Sequence, residues 1–268
     1  MTLKRIAIVS FGVATLCISG IVVLHAQDTM DEIIRYREML KEANPAELLE
    51  ADGEEIWRTA AGPKNATLEQ CDLGLGPGVL RGAYSQLPRY FADTDKVEDA
   101  ESRIVTCRMQ LQGLTREQAT KGWYKSGSDN EALVTYVATQ SRGTTIDVPA
   151  KRPQEAEMYK VGEALFFRRS GPLDFACSTC HALDDRRIRL QELPNLSTKA
   201  GAQASLSQWP AYRVSQGVVW TMERRLIDCI RQMRWPEPDF GSDVVIALQV
   251  YMQHNASGVT LEAPGMKR

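Results

Sequence analysis
The feature that most constrains this chain is that its landmarks come twice, in the same order. Gly53-Glu54-Glu55-Ile56-Trp57 answers to Gly162-Glu163-Ala164-Leu165-Phe166, and Cys71 and Cys180 each lie 18 residues after the leading glycine. Glu101-Ser102-Arg103-Ile104-Val105-Thr106-Cys107 answers to Glu223-Arg224-Arg225-Leu226-Ile227-Asp228-Cys229, with Tyr90 and Tyr212 each 11 residues ahead of the glutamate. Ala132-Leu133-Val134-Thr135-Tyr136 answers to Ala247-Leu248-Gln249-Val250-Tyr251. One such match carries little weight, but the ordered set predicts two domains related by duplication. Residues 142–153 hold Gly143, Pro149 and Pro153 without apolar periodicity and read as the join. The predicted domains are 27–150 and 151–268.

Each half reads as helical, so the expected fold is mainly α. Met158, Val161, Gly162, Leu165 and Phe166 fall on one helical face, with Pro153 at its start. Val244, Ala247, Leu248 and Tyr251 share a face of a last helix that Asp243 is placed to cap. Residues 31–41 read as one more amphipathic helix, and strand signals are weak throughout. Gly53 and Gly162 sit inside helices, where glycine costs about 1 kcal/mol. A close helix crossing would explain both.

Lys4 and Arg5 precede an apolar stretch over residues 6–24, followed by His25-Ala26-Gln27. That order predicts a secretory signal over residues 1–26; an uncleaved anchor is the alternative. Cleavage gives a soluble protein exported to the periplasm, free of the membrane, where disulfides persist. With 32 basic against 34 acidic residues and no basic run, no nucleic-acid footprint is visible. A 43% hydrophobic content argues against disorder, and three histidines exclude chemistry that needs a histidine cluster.

Cys177-Ser178-Thr179-Cys180-His181 is C-x-x-C-H. Two thiols three apart can form thioethers to a haem while the histidine ligates its iron. A redox dithiol or half a zinc site are the alternatives, but His254 is the one other histidine beyond residue 26. A Gly-x-x-x-Phe helix before the motif and a Leu-x-x-Tyr helix at the end resemble the order in class I cytochromes c. The second domain is thus expected to carry one covalent haem c. The first is expected to carry none, because Cys71 is followed by Asp72 without a C-x-x-C-H. By the repeat, Cys71 stands where a haem cysteine would be and Cys107 where Cys229 is. Across an empty cleft these two can close into a disulfide; two buried free thiols are the alternative.

Cys229 is then the odd thiol. Met222, Met233, Met252 and His254 compete with it as the distal ligand, although helical methionines are more often core filler. Three arginines, Arg224, Arg225 and Arg231, surround Cys229, and Arg225 at i−4 shares its helical face. A guanidinium there favours thiolate; pairing with a haem propionate is the alternative role for Arg225.

After C-x-x-C-H come Leu193-Pro194-Asn195-Leu196-Ser197, Trp209-Pro210-Ala211-Tyr212-Arg213 and Met222-Glu223-x-Arg225-x-x-x-Cys229-x-x-x-Met233-Arg234. In these segments the chain closely resembles the SoxA family, the larger subunits of SoxAX cytochrome complexes, over its whole length past the signal. Its departure at Cys71-Asp72 resembles the monohaem form with a Cys71–Cys107 bridge. The resemblance implies two tandem cytochrome c-like domains and an L-cysteine S-thiosulfotransferase. Such an enzyme oxidatively couples thiosulfate to a cysteine of the SoxYZ carrier. Two electrons pass through haem to the SoxX partner subunit and an acceptor cytochrome c. The resemblance further implies Cys177 and Cys180 as haem attachments, His181 and Cys229 as axial ligands, Cys229 as the persulfide or thiolate intermediate, and Arg225 as the substrate-binding residue. The competing readings are a plain electron-transfer cytochrome and a non-catalytic haem subunit.

Overall fold
The computed structural model describes residues 31–32, 35–36, 39, 43–123, 125–188 and 191–267. The stretch read as a signal lies outside them. Of the helix expected over residues 31–41, Asp31, Glu32, Arg35, Tyr36 and Met39 are described, all helical. The chain divides after Asn44, and Pro45–Arg268 is one compact unit. This unit carries every element named below.

Helix α1 (Ala46–Arg58) is crossed by α4 (Asp129–Gln140), and α5 (Pro153–Phe167) is crossed by α9 (Asp243–Asn255). A Cβ on Gly53 would run into the Ala132 carbonyl oxygen, and one on Gly162 into the Ala247 carbonyl oxygen. The backbones therefore touch, which only glycine permits, and the predicted crossing is present twice. Aromatic pairs close both: Trp57 with Tyr136 at 6.1 Å between ring centroids, Phe166 with Tyr251 at 5.3 Å. The apolar face of α5 is narrower than its pattern, since Val161 is exposed. Ser242 is the N-cap of α9 and makes no side-chain cap. Asp243, expected as the cap, is instead the first helical residue, where its charge suits the helix dipole.

Two hairpin–helix units stand between these crossings. In the first half β1 (Arg89–Phe91) pairs antiparallel with β2 (Lys96–Glu98), Tyr90 opposite Val97, and α2 (Ala100–Gln112) follows. In the second β5 (Ala211–Arg213) pairs with β6 (Val218–Trp220), Tyr212 opposite Val219, and α8 (Met222–Gln232) follows. Strand lengths, loop lengths and register agree residue for residue. Asp99 caps α2 by accepting from Ser102 N at 2.9 Å, and Thr221 caps α8 by accepting from Arg224 N at 3.3 Å. A last strand, β7 (Gly265–Lys267), adds parallel to β5 and sets Lys267 beside Arg213. Three-residue strands are too short for alternation to register in sequence.

The expected join is no free linker. Gly143 N donates to Leu261 O and Ile146 N to Val259 O, both at 2.9 Å, so residues near the C-terminus lie against it. Leu261 and Ala263 complete the core of the first half, while Val105, Ala119 and Trp123 of the first half belong to the core of the second. Between the halves lie two buried carboxyl groups, Glu101 and Glu223, each the second residue of its helix. Each meets the cap of the other helix: Thr221 is hydrogen-bonded to Glu101, and Asp99 to Glu223. Burial, joined by the negative charge of Asp99, pushes Glu101 up to about 8 and Glu223 well above the usual carboxylate range.

Candidate haem and sulfur site
The attachment motif forms a single helical turn, α6 (Cys177–His181). Ala176 N donates to Thr179 Oγ1 at 2.9 Å and Thr179 N to Ala176 O at 3.0 Å, which winds Cys177 and Cys180 onto one side as half-buried free thiols. His181 Nδ1 donates to the Pro194 carbonyl at 2.9 Å, leaving the Nε2 lone pair to point away as a ligand. Burial lowers the His181 pKa and the Arg225 charge adds to that, against the Pro194 bond. The imidazole is held neutral, the form that binds iron.

Across from this turn α8 presents Arg225, Asp228 and Cys229. Cys229 lies within electrostatic reach of both Cys177 and Cys180, so the three free thiols of the described chain gather in one place. The donor set suits a c-type haem: two thiols on one turn, an oriented imidazole beside them and a sulfur on the facing helix. Among the described residues no His, Cys, Asp and Glu side chains are clustered closely enough to hold a bare metal ion, as zinc would require. Met222, Met233 and Met252 are buried in the apolar core of this half. His254, expected at the surface, is half-buried: its Nδ1 donates to Val148 O at 2.7 Å and its ring meets Tyr159 edge-on.

The expected pull of Arg225 toward thiolate is present and Arg213 helps, but both are outweighed by burial and the Cys229 thiol is raised. A free sulfur here stays protonated; the positive charge of a bound metal is what would reverse this. The three flanking arginines also separate. Arg224 turns to the first half and pairs with Glu131 at 2.7 Å, while Arg231 reaches outward to Asp228. Arg225 stays beside the cysteines, its Nη1 donating to Asp228 Oδ2 at 3.1 Å. Sequence reasoning missed Asp228 and Arg213. Asp228 was visible, three residues after Arg225 and next to Cys229; Arg213 reaches the site only through the β5–β6 hairpin.

In the first half Cys71 and Cys107 form a disulfide, with Cα atoms 5.5 Å apart. It lines an open cleft of about 450 Å³ together with Arg103, Tyr90 and Phe91. Asp72, next to Cys71, accepts from Gly74 N at 2.7 Å and Gly76 N at 3.0 Å and so closes its own loop. Around the attachment turn of the second half, Phe167, Leu173, Phe175, Leu183 and Ile188 are exposed.

The family model described as SoxA/TsdA, cytochrome c domain, matches residues 52–146. The L-cysteine S-thiosulfotransferase subunit SoxA of Hydrogenophilus thermoluteolus is 52% identical over 88% of this chain and 87% of its own length. That of Hydrogenobacter thermophilus is 35% identical over 90% of each. The crystal structure of SoxXA from P. pantotrophus superposes with a TM-score of 0.72 at 24% identity, over 87% of this chain and 84% of that one. This likeness identifies the fold as cytochrome c-like. No helix of the described residues is long and apolar enough to cross a membrane.

Proposed function
From the premise that this chain belongs to the SoxA family of L-cysteine S-thiosulfotransferase subunits, we propose that it joins thiosulfate to a cysteine of the SoxYZ carrier. The observation that carries the reading is the meeting of Cys229 and Arg225 with the Cys177–His181 turn. Carrier thiol and thiosulfate combine to a carrier-bound S–S–SO3 group, releasing one proton and two electrons. Cys177 and Cys180 would hold a haem c, His181 and Cys229 would ligate it, and its iron would supply a one-electron acceptor. A SoxX partner subunit would supply the acceptor for the second electron, and an acceptor cytochrome c would receive both. Arg225 anchors the anion through charge-assisted bonds. Cys229 holds the sulfur being joined, as thiolate or persulfide.

One haem is bound per chain, in the domain 151–268. The domain 27–150 is its haem-free duplicate, and Asp72 with the Cys71–Cys107 bridge stands there in place of an attachment site. The paired glycine crossings and matching hairpin–helix units support the duplication. Residues 1–26 direct export to the periplasm. The exposed apolar side chains around the attachment turn suit the SoxX interface.

Cys229→Met tests the reading. It should change the low-spin electron paramagnetic resonance signal and abolish thiosulfate-dependent turnover with carrier. An unchanged signal with wild-type turnover refutes it.

A further inference from the structure
Arg213 has an environment that the residues around it leave incomplete. Its guanidinium lies 5.4 Å from the centre of the Trp220 ring. Its Nε is buried without a hydrogen-bond partner, and so is Trp220 Nε1 in the side chain it stacks on. Among the described residues no carboxylate forms an ion pair with it. The charges that reach it are those of Arg225 and Asp228, with Lys267 as its neighbour on β7. Asp228 is already bonded by Arg225, Arg231 and Gln232.

The first half shows what these positions do without a ligand. In the matching hairpin–helix unit, Phe91 stands where Arg213 stands and Arg103 where Arg225 stands. Arg103 lies over the Phe91 ring at 3.9 Å and is paired with Asp93 at 2.9 Å and Glu98 at 3.2 Å. Those carboxylates correspond to Ser215 and Trp220, which carry no charge. The second half thus keeps the arginine, puts a second arginine in place of the ring beside it, and exchanges the two carboxylates for one, Asp228 at the position of Thr106, which Arg225 shares with Arg231. Arg213, Arg225 and Arg231 share the single carboxylate of Asp228, and a bound anion would offset the remaining positive charge of the two half-buried guanidiniums.

We propose that Arg213 is a second substrate-binding residue, forming with Arg225 a two-arginine clamp on the SO3 end of thiosulfate that leaves its outer sulfur beside Cys229. This rests on the proposed thiosulfate chemistry of the same site. Two forks grip three oxygens of a dianion better than one, and the clamp selects dianions over monoanions.

The test uses the haem-loaded complex with its partner subunit and measures thiosulfate Kd by calorimetry without carrier, alongside KM. Arg213→Gln should raise both at least tenfold, leaving the haem reduction potential and resonance signal unchanged. Arg213→Lys should recover only part of the loss. If Arg213→Gln fails to load haem, Arg213→Lys decides alone, and at least a threefold rise in Kd is expected of it. An unchanged Kd in these variants, while Arg225→Ala weakens binding, overturns the assignment of Arg213 only. A shifted haem potential with unchanged Kd also overturns it, making Arg213 a propionate partner. A wild-type complex that binds no thiosulfate overturns the reading of the site itself.

Discussion

Replacing Glu101 by glutamine should remove a large part of the pH dependence of stability. Glu101 is buried between the halves, where Asp99, Glu131 and Glu223 face it and Trp123 Nε1 donates to its Oε2 at 2.8 Å. Its folded pKa is about 8, against 4.5 as the ordinary value. Between those values the folded protein holds a proton that the unfolded chain has released. The contribution is therefore complete below the ordinary value and is lost as pH rises toward about 8. One proton corresponds to about 1.4 kcal/mol per pH unit. Shared with Glu223, the loss from pH 5 to pH 8 is on the order of 2–4 kcal/mol. Glutamine keeps the acceptor for Trp123 and brings an N–H where the acid has its O–H. Urea unfolding of the disulfide-intact holoprotein at pH 5, 6, 7 and 8 reads the difference. Glu101→Gln should lie near wild type at pH 5 and gain on it steadily to pH 8. Parallel stability curves for the two proteins would refute the argument.

Gly162→Ala should cost about 1–3 kcal/mol and lower the melting temperature, because the new methyl meets the backbone carbonyl of Ala247, which cannot rotate away. An unchanged melting temperature would mean that the helices part without cost. The Cys71→Ala/Cys107→Ala double variant opens a loop with a sequence separation of 36 and should lose about 4 kcal/mol, read from the urea midpoint, while keeping its haem. Wild-type stability in that variant would deny the bridge a structural role.

The sequence reveals what rests on local spacing. A glycine, an aromatic four residues on and a tyrosine helix with matching periodicity locate both crossings, because helix geometry repeats on the scale of a few residues. Cysteine spacing locates the attachment turn and, through the repeat, the disulfide. What stays hidden depends on contacts distant along the chain. Arg213 comes to Cys229 only when β5 and β6 pair, and each is three residues long. The Glu101–Glu223 pair reads as two ordinary first-turn acids until the helices meet. Sequence shows that arginines flank Cys229 but not how deeply the thiol is buried, and burial is the stronger influence on it.

The first half has a structural part in the sulfur site although it lies outside it. Helix α8, which carries Arg225 and Cys229, is fastened at its first turn: Glu223 is bonded to Asp99, and Arg224 to Glu131 at 2.7 Å, and both partners belong to the first half. Glu223 also accepts from Gly241 N at 2.9 Å, which ties the same turn to the loop ahead of α9. Arg225 follows Arg224 directly, and Cys229 lies one turn further on. Their distance from the attachment motif is thus set partly by residues that touch no substrate. The exchange of core residues, Leu261 and Ala263 into one half and Val105 and Trp123 into the other, prevents the halves from moving independently. Retaining a half without an attachment motif is then explained by position: without it, the helix bearing Arg225 and Cys229 loses the anchor for its N-terminus.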